Sequence, residues 1–222
     1  MTTDSHDVSG LQCTVLGAAR SGIGVAKLLR SRGASVFVSD QRPLDQLDEE
    51  AKDLATLGIE LEAGGHSGRT LKCSLMVVSP GVPSEAPVVH DAIQRGIRVI
   101  SELEVASWFC RAQIIGVTGS NGKTTTTTLI GRILGDAKKK HVVAGNIGTA
   151  FSSVVLDLAE EDIVVLEVSS FQLDHCESFC PAVSVILNIT EDLMDRYRHS
   201  MELYASSKAR IFMNQTGSDT LV

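Results

Sequence analysis

The sequence predicts an α/β protein. A Rossmann-like, doubly wound N-terminal unit is followed by a P-loop α/β unit that stops before its sheet looks complete. Three observations predict this. Short apolar runs suited to buried strands alternate with helical patterns along the whole chain of 222 residues. Glycine turns at 17–22 and 119–122 sit where a strand pattern passes into a helix pattern. The alternation restarts near Arg111 with no low-complexity linker. Units at residues 1–111 and 112–222 joined by a short hinge are therefore expected.

The elements follow in order. LQCTVLGAA (11–19) is a buried strand running into a glycine turn, and SGIGVAKLLRSRG (21–33) is a helix with Ile23, Ala26, Leu28 and Leu29 near one face. ASVFVSD (34–40) is a second strand, followed by a polar helix over 44–57 and a short strand at IELEAG. LKCSLMVVSPG (71–81) is a strand ending in a loop, APVVHDAIQRG (86–96) a helix, IRVISE a strand and LEVASWFC a helix. In the second unit AQIIGVTG (112–119) is a strand and TTTTLIGRILGDA its helix. HVVAGNIG, DIVVLEVSS and AVSVILNIT are strands, with helices expected near 150–159 and 201–214. The closing DTLV resembles the start of one more strand, and a sheet cut there would leave an open edge.

Composition narrows the function classes. Hydrophobic content is 43%, charged content 21%, and the formal net charge is −7. An acidic chain is a poor partner for nucleic acid or an anionic membrane, but a local loop can still bind phosphate. Cys13, Cys73, Cys110, Cys176 and Cys180 are odd in number and irregular in spacing, which fits reduced thiols used for packing. The N-terminus MTTDSHDVSG has no apolar secretion segment, and no apolar run approaches the ~18 residues of a membrane span. A cytoplasmic location is the expectation.

The strongest chemical signal is GVTGSNGKTTTTTLIG (116–131). Gly119 and Gly122 let the backbone turn its N–H groups toward phosphate oxygens. The helix behind adds free N–H donors and a favourable dipole. Ser120 and Asn121 complete the loop, Lys123 can reach outer phosphates, and the Thr124 hydroxyl can ligate Mg²⁺. The longer GxxxxGK[ST] pattern would need glycine at Val117, so this is the shorter TGxNGKT form. A helix-capping turn rich in glycine and threonine is the bland alternative. Glu167, ending IVVLE at a strand's C-terminal edge, is the candidate carboxylate for the metal, against a solvated strand end.

The first glycine turn, GAARSG (17–22) with Asp40 ending the next strand, is a degraded dinucleotide fingerprint, because Ala19 stands at the middle glycine. A nucleotide-diphosphate handle or plain tight packing explains it as well as NAD does. Gly81, in SPGVP, marks a further turn at a strand's C-terminal end.

Together TGSNGKTTT, GNIGT (145–149), EVSSFQL (167–173), LNITEDLMDRY (187–197) and YASSKARIF (204–212) resemble the Mur ligases of peptidoglycan synthesis. VLGAARSG, VSDQR and VVSPGVP extend the resemblance over nearly the whole chain, and SSFQL with GNIG point to the branch that uses D-glutamate. The resemblance implies ATP-dependent formation of an acyl phosphate on UDP-MurNAc-L-alanine, attacked by the D-glutamate amine. It implies that Gly119, Ser120, Asn121, Gly122, Lys123, Thr124 and Thr125 hold ATP, with Lys123, Asn146 and Lys208 catalytic. It implies that Gly17, Ala18, Ala19, Asp40, Gln41, Arg42, Gly81 and Asn146 hold the UDP substrate. Thr124, Glu167 and a carbamylated Lys208 would hold Mg²⁺, although by itself Lys208 reads as a solvated helix lysine.

Two departures accompany the resemblance. Leu193 follows Asp192 where the family pattern has histidine, and leucine cannot ligate a metal. The family's third domain, which carries D-glutamate, has no counterpart in these residues. The chain is thus expected to be a truncated, monomeric form unable to make the amide alone, with no nucleic-acid or membrane partner. The alternatives are a UDP-sugar-binding module without catalysis, and an NAD-dependent oxidoreductase on residues 11–110, which Ala19 and the lack of a hydride site disfavour.

Overall fold

The computed structural model describes residues 6–192 and 194–222. Leu193 lies outside the described residues. The first sheet is built by β1 (Gln12–Leu16), α1 (Arg20–Ser31), β2 (Ser35–Asp40), α2 (Glu49–Lys52), β3 (Glu60–Ala63), β4 (Leu75–Val78), α3 (Pro87–Gln94), β5 (Arg98–Ser101) and α4 (Glu102–Trp108). Its order is β3-β2-β1-β4-β5 and every pairing is parallel. β1 is therefore central, and the chain order reverses beside it. Ligand crevices in open parallel sheets form at that reversal.

The second sheet comprises β6 (Gln113–Thr118), α5 (Lys123–Asp136), β7 (His141–Gly145), α6 (Phe151–Val154), β8 (Ile163–Glu167), α7 (Ser170–Leu173), β9 (Val183–Ile186), α8 (Met201–Ala209) and β10 (Thr220–Leu221). Its order is β10-β9-β6-β8-β7, again all parallel. β6 is central, and β8 lies beside it with Glu167 level with Val117. The apolar runs LMVV and IVVLE are almost wholly buried, as expected for parallel strands covered on both faces.

Several expected elements are shorter than their sequence patterns. Residues 44–57 form no continuous helix. Extended Leu47 and Asp48 separate a 3₁₀ turn at Leu44–Gln46 from the four-residue α2, which passes directly into a second 3₁₀ turn at Asp53–Leu57. Only Leu75–Val78 of the 71–81 segment is strand. The helix expected at 150–159 is α6 followed by a 3₁₀ turn, Val155–Asp157. The helix expected at 201–214 ends at Ala209 and tightens into 3₁₀ at Arg210–Phe212. The unexpected α7 is set by a reciprocal capping box between Ser169 and Gln172.

The two sheets share one core. Ile23 and Val25 of α1 belong to the same buried cluster as Phe151, Val155 and Phe179. Full burial of a Phe151-sized side chain contributes about 2–3 kcal/mol. Hydrogen bonds reinforce the joint: Ser101 N donates to His175 O at 2.9 Å, and Ser152 N to the Glu102 carboxylate at 2.8 Å. The Glu104 carboxylate accepts from the amides of Glu177, Ser178 and Phe179, from the Ser178 hydroxyl and from the Trp108 indole. Burial alone would raise the pKa of Glu104, but its bonds to Ser178, Trp108 and Glu177 bring it below the ordinary carboxylate value.

Candidate functional site

Both glycine turns lie at the C-terminal ends of central strands, and both lead into helices without a capping side chain. α1 starts at Ala19 and α5 at Gly122 with no side-chain cap, whereas α4 and α8 carry serine caps. Uncapped first turns leave backbone N–H groups for a ligand.

In the second unit Gly119 and Gly122 take φ of +153° and +84°, which other residues adopt only with strain. A strap from the end of β9 fixes the loop. Asn188 O accepts from Ser120 N, and the Asn188 side chain accepts from Asn121 N and donates to Asn121 O at 2.9 and 3.0 Å. The Ser120 hydroxyl donates to Thr190 O at 2.7 Å and meets the Tyr204 hydroxyl at 3.1 Å. Asn121 also reaches the Thr190 hydroxyl, at 3.2 Å. Asn188, Thr190 and Tyr204 were not singled out in the sequence. The polar residues directly after a β9-type strand were the available signal.

Lys123 folds back, its ammonium donating to Gly119 O and Ser120 O at 2.9 Å each. The Lys208 ammonium donates to the same Gly119 carbonyl at 2.8 Å. Lys208 is not a solvated lysine. Only 1% of it is accessible, and its ammonium lies 4.5 Å from the Tyr204 ring centroid. Burial, aided by the Lys123 charge and opposed by Asp192, lowers its pKa to about 8.

The Thr124 hydroxyl donates to one oxygen of Glu167 at 2.7 Å, and the Asn146 amide to the other at 3.0 Å. Thr124, Asn146 and Glu167 thus converge at the mouth of the loop. Two adjacent oxygen donors, a hydroxyl and a carboxylate, suit Mg²⁺, which prefers oxygen ligands and keeps several waters. Among the described residues no cluster of three His, Cys, Asp or Glu could hold a metal by itself. Thr125 is exposed on the first turn of α5.

In the first unit Gly17, Ala19, Asp40, Gln41, Arg42 and Gly81 line one cleft of about 360 Å³, together with His66, Ser79, Val82, Pro83 and Ala86. Gly22 is required by close approach, since a Cβ there would lie 1.9 Å from Gly17 O. Asp40 is saturated. One oxygen accepts from Arg42 N and Nε at 2.8 and 3.1 Å, the other from Ala18 N and Arg42 Nη2 at 2.6 and 2.9 Å. A carboxylate offers about four acceptor positions, so Asp40 orients Arg42 and the turn and has none to spare. Burial opposes its charge, yet the Arg42 and Ala18 bonds leave its pKa below the ordinary value.

Two expected cleft residues lie elsewhere. Ala18 is fully buried with its N–H on Asp40, so its side chain presents nothing to the cleft. Asn146 bonds Glu167 and is not among the residues lining this cleft, because β7 carries it to the phosphate loop.

Both units match a known family. Residues 11–101 match the Mur ligase MurD-like N-terminal domain, and residues 117–222 the Mur ligase middle domain. The UDP-N-acetylmuramoylalanine–D-glutamate ligase of Chlorobium limicola is 49% identical over 220 residues, covering 97% of this chain and 47% of that protein. That of Salinibacter ruber is 47% identical over 227 residues, covering 100% and 48%. The chain spans about half the length of the curated relatives it matches.

Two solved structures share the fold. The UDP-N-acetylmuramate:L-alanyl-gamma-D-glutamyl-meso-diaminopimelate ligase of Neisseria meningitides superposes with a TM-score of 0.60 at 17% identity, over 96% of this chain and 71% of that one. The UDP-N-acetylmuramate-alanine ligase of Thermotoga maritima gives 0.54 at 21% identity, over 90% and 46%. Two Mur ligase matches in tandem, together covering most of the chain, and identity near one half along it have one reading: this protein belongs to the Mur ligase family.

Proposed function

We propose that residues 1–111 form the UDP-substrate unit, and residues 112–222 the ATP phosphate unit, of a ligase that joins D-glutamate to UDP-MurNAc-L-alanine. The observation that carries this reading is the convergence of Thr124 and Asn146 on Glu167 beside a lysine-bearing loop. In this reading the terminal phosphoryl of ATP passes to the alanine carboxylate. The D-glutamate amine then attacks the acyl carbon, an amide forms and phosphate leaves. Lys123 leaves its loop carbonyls to stabilise charge on the transferring phosphoryl group. Asn146 positions the substrate edge near it. Mg²⁺ held by Thr124 and Glu167 would neutralise phosphate charge.

Lys208 is the proposed carbamate. With a pKa of about 8 its amine is neutral often enough to bond CO₂ and release a proton. Protein labelled with ¹³C-bicarbonate at pH 8.5 is expected to show one carbamate resonance that Lys208→Ala abolishes. Persistence of that resonance in the variant would reject the assignment. A cytoplasmic, monomeric enzyme is part of this proposal; among the described residues no helix is long and apolar enough to cross a membrane.

Calorimetric titration of the 222-residue chain tests the reading. It is expected to bind UDP-MurNAc-L-alanine and, separately, ATP–Mg²⁺. About half of the relatives' length lies outside the match, so these residues by themselves are expected to bind without forming the amide. ADP release dependent on D-glutamate would overturn that expectation, and binding of the UDP compound without ATP would favour a pure binding module.

A further inference from the structure

The cleft of the first unit contains a histidine that the site residues above leave without a task. β3 ends at Ala63, and the following Gly64–Gly65 turn is stitched to the Asp40–Arg42 turn, with Gly64 N on Arg42 O at 2.9 Å and Gly65 N on Asp40 O at 3.2 Å. This carries His66 into the cleft lining beside Gln41. There its Nδ1 lies 2.8 Å from the Ser39 hydroxyl oxygen, which is wholly buried.

Proton accounting at Ser39 favours one tautomer of the ring. Ser39 has one hydroxyl proton, and a carboxylate oxygen of Glu62 stands at 3.1 Å with Gly65 O at 3.2 Å. The charged acceptor draws that proton. The Ser39 oxygen is then an acceptor, and the hydrogen at 2.8 Å belongs to His66 Nδ1. Glu62 is itself held by Ser67 N at 3.0 Å and the Thr70 hydroxyl at 3.2 Å. Burial lowers the pKa of His66 despite the opposing charges of Asp40 and Glu62, which favours the neutral ring. Its Nε2 carries a lone pair and has no hydrogen-bond partner among the described residues.

We propose that His66 is a nucleoside-reading residue, whose Nε2 accepts a hydrogen bond from a donor on the bound nucleoside diphosphate. This rests on reading the cleft as a uridine diphosphate site. Two donors share that chemistry: the uracil N3–H, which cytosine replaces with an acceptor, and the ribose 2′-hydroxyl. Either gives the cleft specificity that Asp40, with all its acceptor positions filled, does not supply.

Titration of the chain and two variants with UDP, CDP and 2′-deoxy-UDP tests this. His66→Asn keeps a donor toward Ser39 but removes the acceptor, whereas His66→Gln can restore an acceptor near Nε2. Wild-type protein is expected to favour UDP over CDP or over 2′-deoxy-UDP, and the disfavoured analogue identifies the donor. His66→Asn is expected to melt like wild type, weaken UDP about tenfold and erase the preference. His66→Gln is expected to regain part of it. UDP affinity unchanged in His66→Asn, or equal weakening of all three nucleotides, overturns the proposal and leaves the uridine reading intact. Failure of wild-type protein to bind UDP overturns both.

Discussion

The two glycine loops occupy equivalent places in two sheets, yet they are wired with opposite charge. At the first, a carboxylate sits on the turn: Asp40 takes the Ala18 amide and is itself neutralised by Arg42. At the second, two ammonium groups, Lys123 and Lys208, sit on the Gly119 carbonyl. A shared backbone device thus serves two ends. The first loop has used its acidic group internally and presents a neutral, half-apolar cleft. The second sets ammonium groups, not a carboxylate, against its loop carbonyl.

The largest expected effect comes from breaking what joins the two regions. Glu104→Ala leaves five donors without their carboxylate acceptor and is expected to cost about 3 kcal/mol or more in chemical denaturation. One transition at a lower midpoint is expected, given the shared core. Two separated transitions would mean that the loops stand on independently stable units.

Selective damage sharpens the comparison next. Lys123→Ala is expected to weaken ATP–Mg²⁺ about thirtyfold, as loss of a charge-assisted contact implies, and to leave UDP binding unchanged. Asp40→Asn is expected to do the reverse, weakening UDP about tenfold by freeing Arg42. If either variant impairs both ligands equally in calorimetry, the division of labour fails.

The last tests are titrations, and they fall in separate windows. The folded pKa of Asp40 lies below its unfolded value of 3.8, so its contribution is full above that pH and is lost as pH falls through the folded value. Lys208 is also depressed, from 10.5 to about 8, but as a base. The unfolded chain binds more protons between those values, so stability is expected to rise from pH 8 to 10.5. Denaturation midpoints across both ranges test this, and Lys208→Met is expected to flatten the alkaline rise alone.

Much of this was legible in the sequence, for identifiable reasons. Parallel strands buried on both faces leave unbroken apolar runs, so β4, β6 and β8 could be read with their loops. GSNGKT stands out as a candidate phosphate loop because phosphate binding demands particular residues at particular spacing. What stayed hidden depends on long-range partners. Lys208 looks like any helix lysine until Gly119 and Tyr204 enclose it. Glu104 sits in an ordinary amphipathic pattern, and its donors lie some seventy positions further along the chain. The polar stretch at 44–57 misled because Leu47, Ala51 and Leu54 are buried at helical spacing, yet the extended Leu47 and Asp48 interrupt the helix.

The all-parallel order also sets a timetable for synthesis. Each central strand is made before its neighbours: Cys13 must await Leu75, and Gln113 must await Ile163. At bacterial-to-eukaryotic rates of roughly 5–20 residues per second, β6 and its phosphate loop spend several seconds outside the ribosome with no strand to pair with. During that interval a five-threonine, weakly apolar helix start is less hazardous than a sticky one. The loop that Lys123 and Lys208 later tie down is thereby a segment suited to waiting in water.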